Sequence, residues 1–234
     1  HNNLGIALKD LRQLDVSIKS FEKAIATKPD YVEAHYSLGN VLHELGQLEA
    51  AVKSYEALLV IKPDLAEIHN NLGVILNKLN QKDAALKSLE RAVAIKPDYA
   101  EAHFNLGDTL RELGQLETAI KSYKNVIAIK PDYADAFNNL SIAYMNLGQR
   151  DKAVKLYEKA LAINPNFAEA HNNLGNVLKA LGKFDAAIKN YEKALAIKPD
   201  YVDVYNNLGI TYMDLGQQDK AVKCYEQALT INPD

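Results

Sequence analysis

Residues 168–201 read AEAHNNLGNVLKALGKFDAAIKNYEKALAIKPDY. Ala170, Leu174, Val177, Leu178 and Leu181 are spaced i, i+4, i+7, i+8 and i+11, the apolar stripe of an amphipathic helix. Phe184, Ala187, Ile188, Tyr191, Ala194 and Leu195 form the same kind of stripe again. Gly182 lies between the two, where a residue without Cβ can take the left-handed conformation that stops a helix. Pro199 ends the second stripe, because the residue before a proline avoids helical geometry. The stretch therefore predicts a helix A, a tight turn and a helix B.

The same pattern recurs along the chain. Pro29, Pro63, Pro97, Pro131, Pro165, Pro199 and Pro233 are each 34 residues apart. The eleven glycines occupy two phases of that period: Gly5, Gly39, Gly73, Gly107, Gly175 and Gly209 in one, Gly46, Gly114, Gly148, Gly182 and Gly216 in the other. A fixed period of this length marks an array in which each unit packs mainly on its neighbours. The expected organisation is one array over 1–234 with units at 1–31 (truncated), 32–65, 66–99, 100–133, 134–167, 168–201 and 202–234, a piece of a longer array.

Local chemistry fits these boundaries. Asp200 precedes helix A with Asp203 three residues on, as Asp30 precedes Glu33, Asp64 Glu67 and Asp98 Glu101, which predicts a capping box with Asp as the cap. Helix B opens with an acid in every unit and carries lysine four residues later, from Asp15 and Lys19 to Asp219 and Lys223. Each such pair is worth about 0.2–0.5 kcal/mol on a solvated face.

Composition narrows the function classes. The net charge is −3 without blocks of like charge, which gives no electrostatic reason to expect nucleic acid or an anionic membrane as partner. No apolar run approaches 18 residues, so a soluble, cytoplasmic chain is expected. Cys224 is alone, which excludes a disulfide or a cysteine metal site within the chain. His1, His35, His69, His103 and His171 share a phase one repeat apart, too far to share an ion, and Phe137 and Tyr205 fill that phase elsewhere. That row reads as a packing position. No phosphate loop, carboxylate pair or nucleophile with its base stands out, so no catalytic residue, metal or cofactor is expected and the chain reads as a non-enzyme.

In its His171, Leu174-Gly175, Leu178, Ala187, Tyr191, Ala194 and Pro199, the unit resembles the tetratricopeptide repeat. The departures are few: Ser141 for glycine, Ser17 for alanine, and Leu58 and Val126 at another alanine position. The resemblance implies an all-α fold, a right-handed α-solenoid superhelix of antiparallel helix pairs with helix A lining a concave groove. The usual occupant of that groove is a protein or peptide segment.

Counting from Ala168 as position 1, positions 2, 6, 9 and 13 form a stripe of helix A opposite the apolar one. Position 6 is Asn3, Asn71, Asn105, Asn139, Asn173 and Asn207, with Ser37 in unit two. Position 5 beside it is Asn2, Asn70, Asn138, Asn172 and Asn206, with Tyr36 and Phe104 in units two and four. Position 9 varies and includes Asn40, Asp108 and Asn176. An amide both donates and accepts, so the row can either pair with the main chain of an extended peptide or tie neighbouring helices together. In this respect the array is similar to the superhelical segment of O-linked N-acetylglucosamine transferases, which implies a second reading as the substrate-selecting arm of an enzyme.

Chaperone-binding members of the family grip a carboxylate with basic side chains at positions 2, 5 and 6. Here position 5 is never basic, and position 2 is Glu33, Glu67, Glu101, Asp135, Glu169 and Asp203. A neutral or basic partner segment is expected. Apolar helix faces at open ends add end-to-end self-association as a third reading.

Overall fold

A computed structural model describes residues 1–233; Asp234, the last residue of the seventh unit, lies outside the described residues. The described residues form fourteen α-helices and no strand. They fall into two compact units, His1–Leu113 and Gly114–Asp234, divided at the turn of the fourth repeat. The first unit holds α1 (Asn2–Asp10), α2 (Leu14–Thr27), α3 (Val32–Glu44), α4 (Leu48–Ile61), α5 (Ala66–Lys78), α6 (Lys82–Ile95) and α7 (Ala100–Glu112). The second holds α8 (Leu116–Ile129), α9 (Ala134–Asn146), α10 (Arg150–Ile163), α11 (Ala168–Ala180), α12 (Phe184–Ile197), α13 (Val202–Asp214) and α14 (Gln218–Ile231). Odd-numbered helices are the A helices and even-numbered ones the B helices. Within each unit consecutive helices pack together, joined by turns short enough to make antiparallel pairs.

The A-to-B turn is a Schellman motif. In α3, Gly46 N donates to the His43 carbonyl at 3.0 Å and Gln47 N to the Leu42 carbonyl at 2.9 Å, with Gly46 at φ +73°. Arg12 and Asn80 adopt the same left-handed geometry at φ 60° and 59°, so the turn survives without glycine. Every B helix ends on an extended residue before its proline, such as Lys198 at φ −128°, ψ 89°.

The capping box does not form. The N-cap of each A helix from α3 onward is the residue after the aspartate or asparagine, and none makes a side-chain cap bond: Tyr31, Leu65, Tyr99, Tyr133, Phe167 and Tyr201. At every one of these starts but that of α5 the reason is the turn that follows proline. Tyr31 N donates to the Lys28 carbonyl at 3.1 Å, which leaves Tyr31 extended and delays the helix by one residue. The acid of position 2 still lies in the first turn, where the helix dipole favours it. The acid–lysine spacing of helix B likewise closes no ion pair among the described residues.

The core explains the glycine inside helix A. Tyr55, Leu89, Tyr123, Tyr157 and Tyr191 of the B helices are fully or almost fully buried. A Cβ on Gly39 would lie 2.5 Å from Tyr55 Cε1, and one on Gly175 would lie 2.5 Å from Tyr191 Cε1. The ring therefore sits directly on the helix backbone. Where serine replaces alanine in unit one, Ser17 Oγ donates to the Gly5 carbonyl at 2.7 Å, so the buried hydroxyl is satisfied.

Candidate functional site

The outer stripe of helix A has two layers. In the first unit Asn70 is fully buried while Asn71 and Asn105 are half-buried; in the second, Asn138 and Asn172 are buried while Asn139, Asn173, Asn206 and Asn207 are half-buried. Asn2 is buried and Asn3, at the start of α1, is exposed. Position 5 therefore lies between adjacent A helices, and position 6 stands at the surface.

Amide hydrogen bonds join the layers across repeats. Asn105 Nδ2 donates to Asn70 Oδ1 at 2.9 Å, Asn173 Nδ2 to Asn138 Oδ1 at 3.3 Å, and Asn207 Nδ2 to Asn172 Oδ1 at 3.0 Å. In each case position 6 of one repeat grips position 5 of the repeat before it. Asn70 and Asn138 donate in turn to Asn71 and Asn139 at 3.4 and 3.1 Å. The tying role left open by the sequence is thus formed in hydrogen bonds. It does not exhaust the row, because an asparagine has two N–H donors and two lone pairs on its oxygen.

Position 9 is held from the other side. Tyr55 Oη donates to Asn40 Oδ1 at 2.5 Å, and Tyr191 Oη donates to Asn176 Oδ1 at 2.7 Å. The carbonyl end of each amide is occupied. Burial pushes both tyrosines up to about 12, so they remain protonated donors at neutral pH. Asp108, half-buried, lies 3.9 Å from Arg111. Ile6 and Ile210 make the same position exposed and apolar in units one and seven. The acids of position 2 are exposed throughout, and Tyr36 Oη donates to Glu67 Oε1 at 2.6 Å.

A family model described as the TPR repeat matches residues 5–46, 39–80, 73–110, 107–148, 143–182 and 175–216, and a second, the tetratricopeptide repeat, matches 202–234. The chain belongs to the tetratricopeptide repeat family. Among solved structures, TTC0263, a thermophilic TPR protein of Thermus thermophilus, is 30% identical with a TM-score of 0.61, over 73% of this chain and 93% of that one. MamA is 28% identical with a TM-score of 0.64, over 72% and 92%. YrrB, a TPR protein with an unusual peptide-binding site, is 21% identical with a TM-score of 0.62, over 78% and 94%. Comparison with curated protein sequences gives no match.

In this tetratricopeptide array the histidine row does more than pack. His35, His69, His103 and His171 place Nε2 at 2.8, 2.9, 2.9 and 3.2 Å from the carbonyl oxygens of Pro29, Pro63, Pro97 and Pro165. Opposite a carbonyl, Nε2 is the protonated nitrogen and donates. Each histidine fastens its A helix to the end of the preceding B helix. The packing position expected from the sequence thus also carries a hydrogen bond that spacing alone did not reveal.

Two further features lie outside the candidate surface. Burial raises the pKa of the Cys224 thiol, which keeps it protonated. Among the described residues no helix is long and apolar enough to cross a membrane.

Proposed function

We propose that the chain is a non-catalytic scaffold that holds an extended protein or peptide segment against the A helices. The carrying observation is the half-buried amide row of position 6, in which Asn105, Asn173 and Asn207 are fixed by a bond from one amide N–H to position 5, while an asparagine amide carries a second N–H and two oxygen lone pairs. An extended segment offers main-chain N–H and C=O groups at a regular spacing, so a fixed row of amides grips it with little regard to sequence. The exposed acids of position 2 favour a neutral or basic segment over an acidic one. The same fold carries a peptide-binding site in YrrB.

Selection of a displayed random peptide library on the wild-type chain supplies the ligand for the test. Changing Asn139, Asn173 and Asn207 together to alanine, or Asn71 and Asn105 together, is expected to weaken the selected peptides by about tenfold or more while helicity persists, a loss of about 1.4 kcal/mol per tenfold. Unchanged affinity in both variants rejects the reading.

End-to-end association is a second reading with its own observation. Leu4 and Leu11 on the first helix pair and Val222 and Leu229 on the last are 54%, 68%, 51% and 58% exposed. Sedimentation velocity over a concentration series should show reversible growth in size; a monomer at every concentration rejects it.

A further inference from the structure

The joint between α4 and α5 departs from the other joints. At the five others, position 34 donates its N–H back to position 31: Tyr31 to Lys28, Tyr99 to Lys96, Tyr133 to Lys130, Phe167 to Asn164 and Tyr201 to Lys198, at 3.1–3.3 Å. Among the described residues no such bond closes residues 62–65. An aromatic ring also occupies position 34 at those five joints, and at four of them the lysine of position 31 lies over it, 4.7–6.0 Å from the ring centre. Here the residue is Leu65, and Lys62 has no ring beneath it.

A cleft of about 600 Å³ opens at this joint, within the size range of small-ligand sites. Its walls are apolar: Val32 and the Tyr36 ring from α3, Leu58 from α4, Leu65 and Ile68, and Ile95 from the end of α6. Ile68 is bulkier than the alanine found at its position in four of the other units. The rim carries Glu33, Asp64 and Glu67 against one cation, Lys96. Asp64 is paired with Arg91 at 2.5 Å, and Lys96 lies 5.1 Å from the centre of the Tyr99 ring. Glu67 accepts from Tyr36 with one oxygen, which orients the carboxylate and leaves the other oxygen for a ligand. Glu33 has no ion-pair partner. The cleft is thus an apolar slot with two uncompensated carboxylates at its mouth.

We propose that this cleft is a specificity pocket for a lysine or arginine side chain of the bound segment. The aliphatic stem lies along Val32, Leu65 and Ile95, and the cationic head reaches Glu33 and Glu67. Exposed ion pairs contribute little by themselves, so the apolar wall supplies the binding and the carboxylates supply the choice of a cation over an apolar chain end. The proposal deepens the peptide-binding reading above by naming the residue class, and it is testable without the asparagine row.

The probes are blocked single residues: N-acetyl-lysine, N-acetyl-arginine and N-acetyl-norleucine methylamides, titrated into the full chain with the methyl groups of Leu65, Ile68 and Ile95 followed by NMR. Lysine or arginine is expected to shift all three methyls with millimolar saturation, about tenfold tighter than norleucine. Leu65→Tyr, which restores the residue type of the other joints, is expected to abolish the shifts at Ile68 and Ile95 while the rest of the spectrum stays folded. Glu33→Gln with Glu67→Gln is expected to erase the difference between lysine and norleucine. The proposal is overturned if neither cationic probe gives a saturable shift up to about 50 mM, or if norleucine binds the wild-type chain as well as lysine does. Either failure leaves the outcome of the asparagine variants unaffected, so the two readings fail separately.

Discussion

Gly39 and Tyr55 meet so closely that one added carbon has no place to go. Glycine inside a helix is poorer than alanine by roughly 1 kcal/mol, and propensity alone would make Gly39→Ala stabilising. The Cβ would stand 2.5 Å from the Tyr55 ring, which is fully buried and bonded to Asn40, so neither partner can yield cheaply. Overpacking of this kind costs about 1–3 kcal/mol, and Gly39→Ala is expected to lower the midpoint of urea unfolding. A midpoint equal to or above wild type would mean that propensity wins. His43 offers a charge counterpart on the same helix. Its ring nitrogen accepts from Lys78 Nζ at 2.9 Å, and burial, then the Lys78 charge, lower its pKa. A base lowered on folding binds its proton more readily in the unfolded chain, so its contribution is complete above about pH 6.5 and is lost as the pH falls through the window below that value. His43→Gln should therefore flatten the fall in Tm between about pH 7 and pH 5; parallel profiles for the two chains would deny it this role.

At the scale of the element, the amide bond between neighbouring A helices closes at Asn105, Asn173 and Asn207, and the joint between α1 and α3 lacks it for want of a donor. Position 6 reaches back to an asparagine at position 5, but unit two has Ser37 there, too short for the reach, and Asn2 Oδ1 is left buried without a partner. Ser37→Asn is expected to supply the missing donor and raise stability by about 0.5–1.5 kcal/mol, the usual net worth of such a bond. Scanning calorimetry checks it; an unchanged or lower Tm would show that Asn2 cannot be satisfied from α3. The helices themselves were legible because each carries its own punctuation: the apolar period, the glycine that turns left-handed after α3, the proline that stops α12. The positions of the outer stripe were legible for the same reason, being fixed by the turn of a single helix. Their partners were not. Whether Asn105 meets Asn70, or His103 the Pro97 carbonyl, depends on how two helices sit against each other, which no spacing within one helix encodes. The capping box failed on a single residue, because the turn after proline turns Tyr31 into the cap in place of Asp30. The cleft at Leu65 was not read from the sequence, because its walls come together only when α3, α4, α5 and α6 are packed.

Over the whole molecule, the repeat makes a claim about cooperativity. Within each of the two units, each helix pair contacts its neighbours in the chain, and the main contacts two helices apart join successive A helices, such as α1 with α3, α5 with α7 and α11 with α13. Stability in such an array approximates a sum of unit terms and nearest-neighbour terms, and a local fault spreads only as far as those couplings carry it. Gly39→Ala is a suitable fault, since it strains α3 against α4 without touching the residues that join the other repeats. Native-state hydrogen exchange should then show protection falling by about tenfold per 1.4 kcal/mol in α3 and α4, by less in α2 and α5, and not at all in α11–α14. The mirror variant Gly175→Ala should reverse the pattern, with loss centred on α11 and α12 and none in α1–α4. An equal loss in every helix for both variants would mean that the chain unfolds as one cooperative body, and the joints between repeats would then have to be far stronger than the amide and histidine bonds found at them.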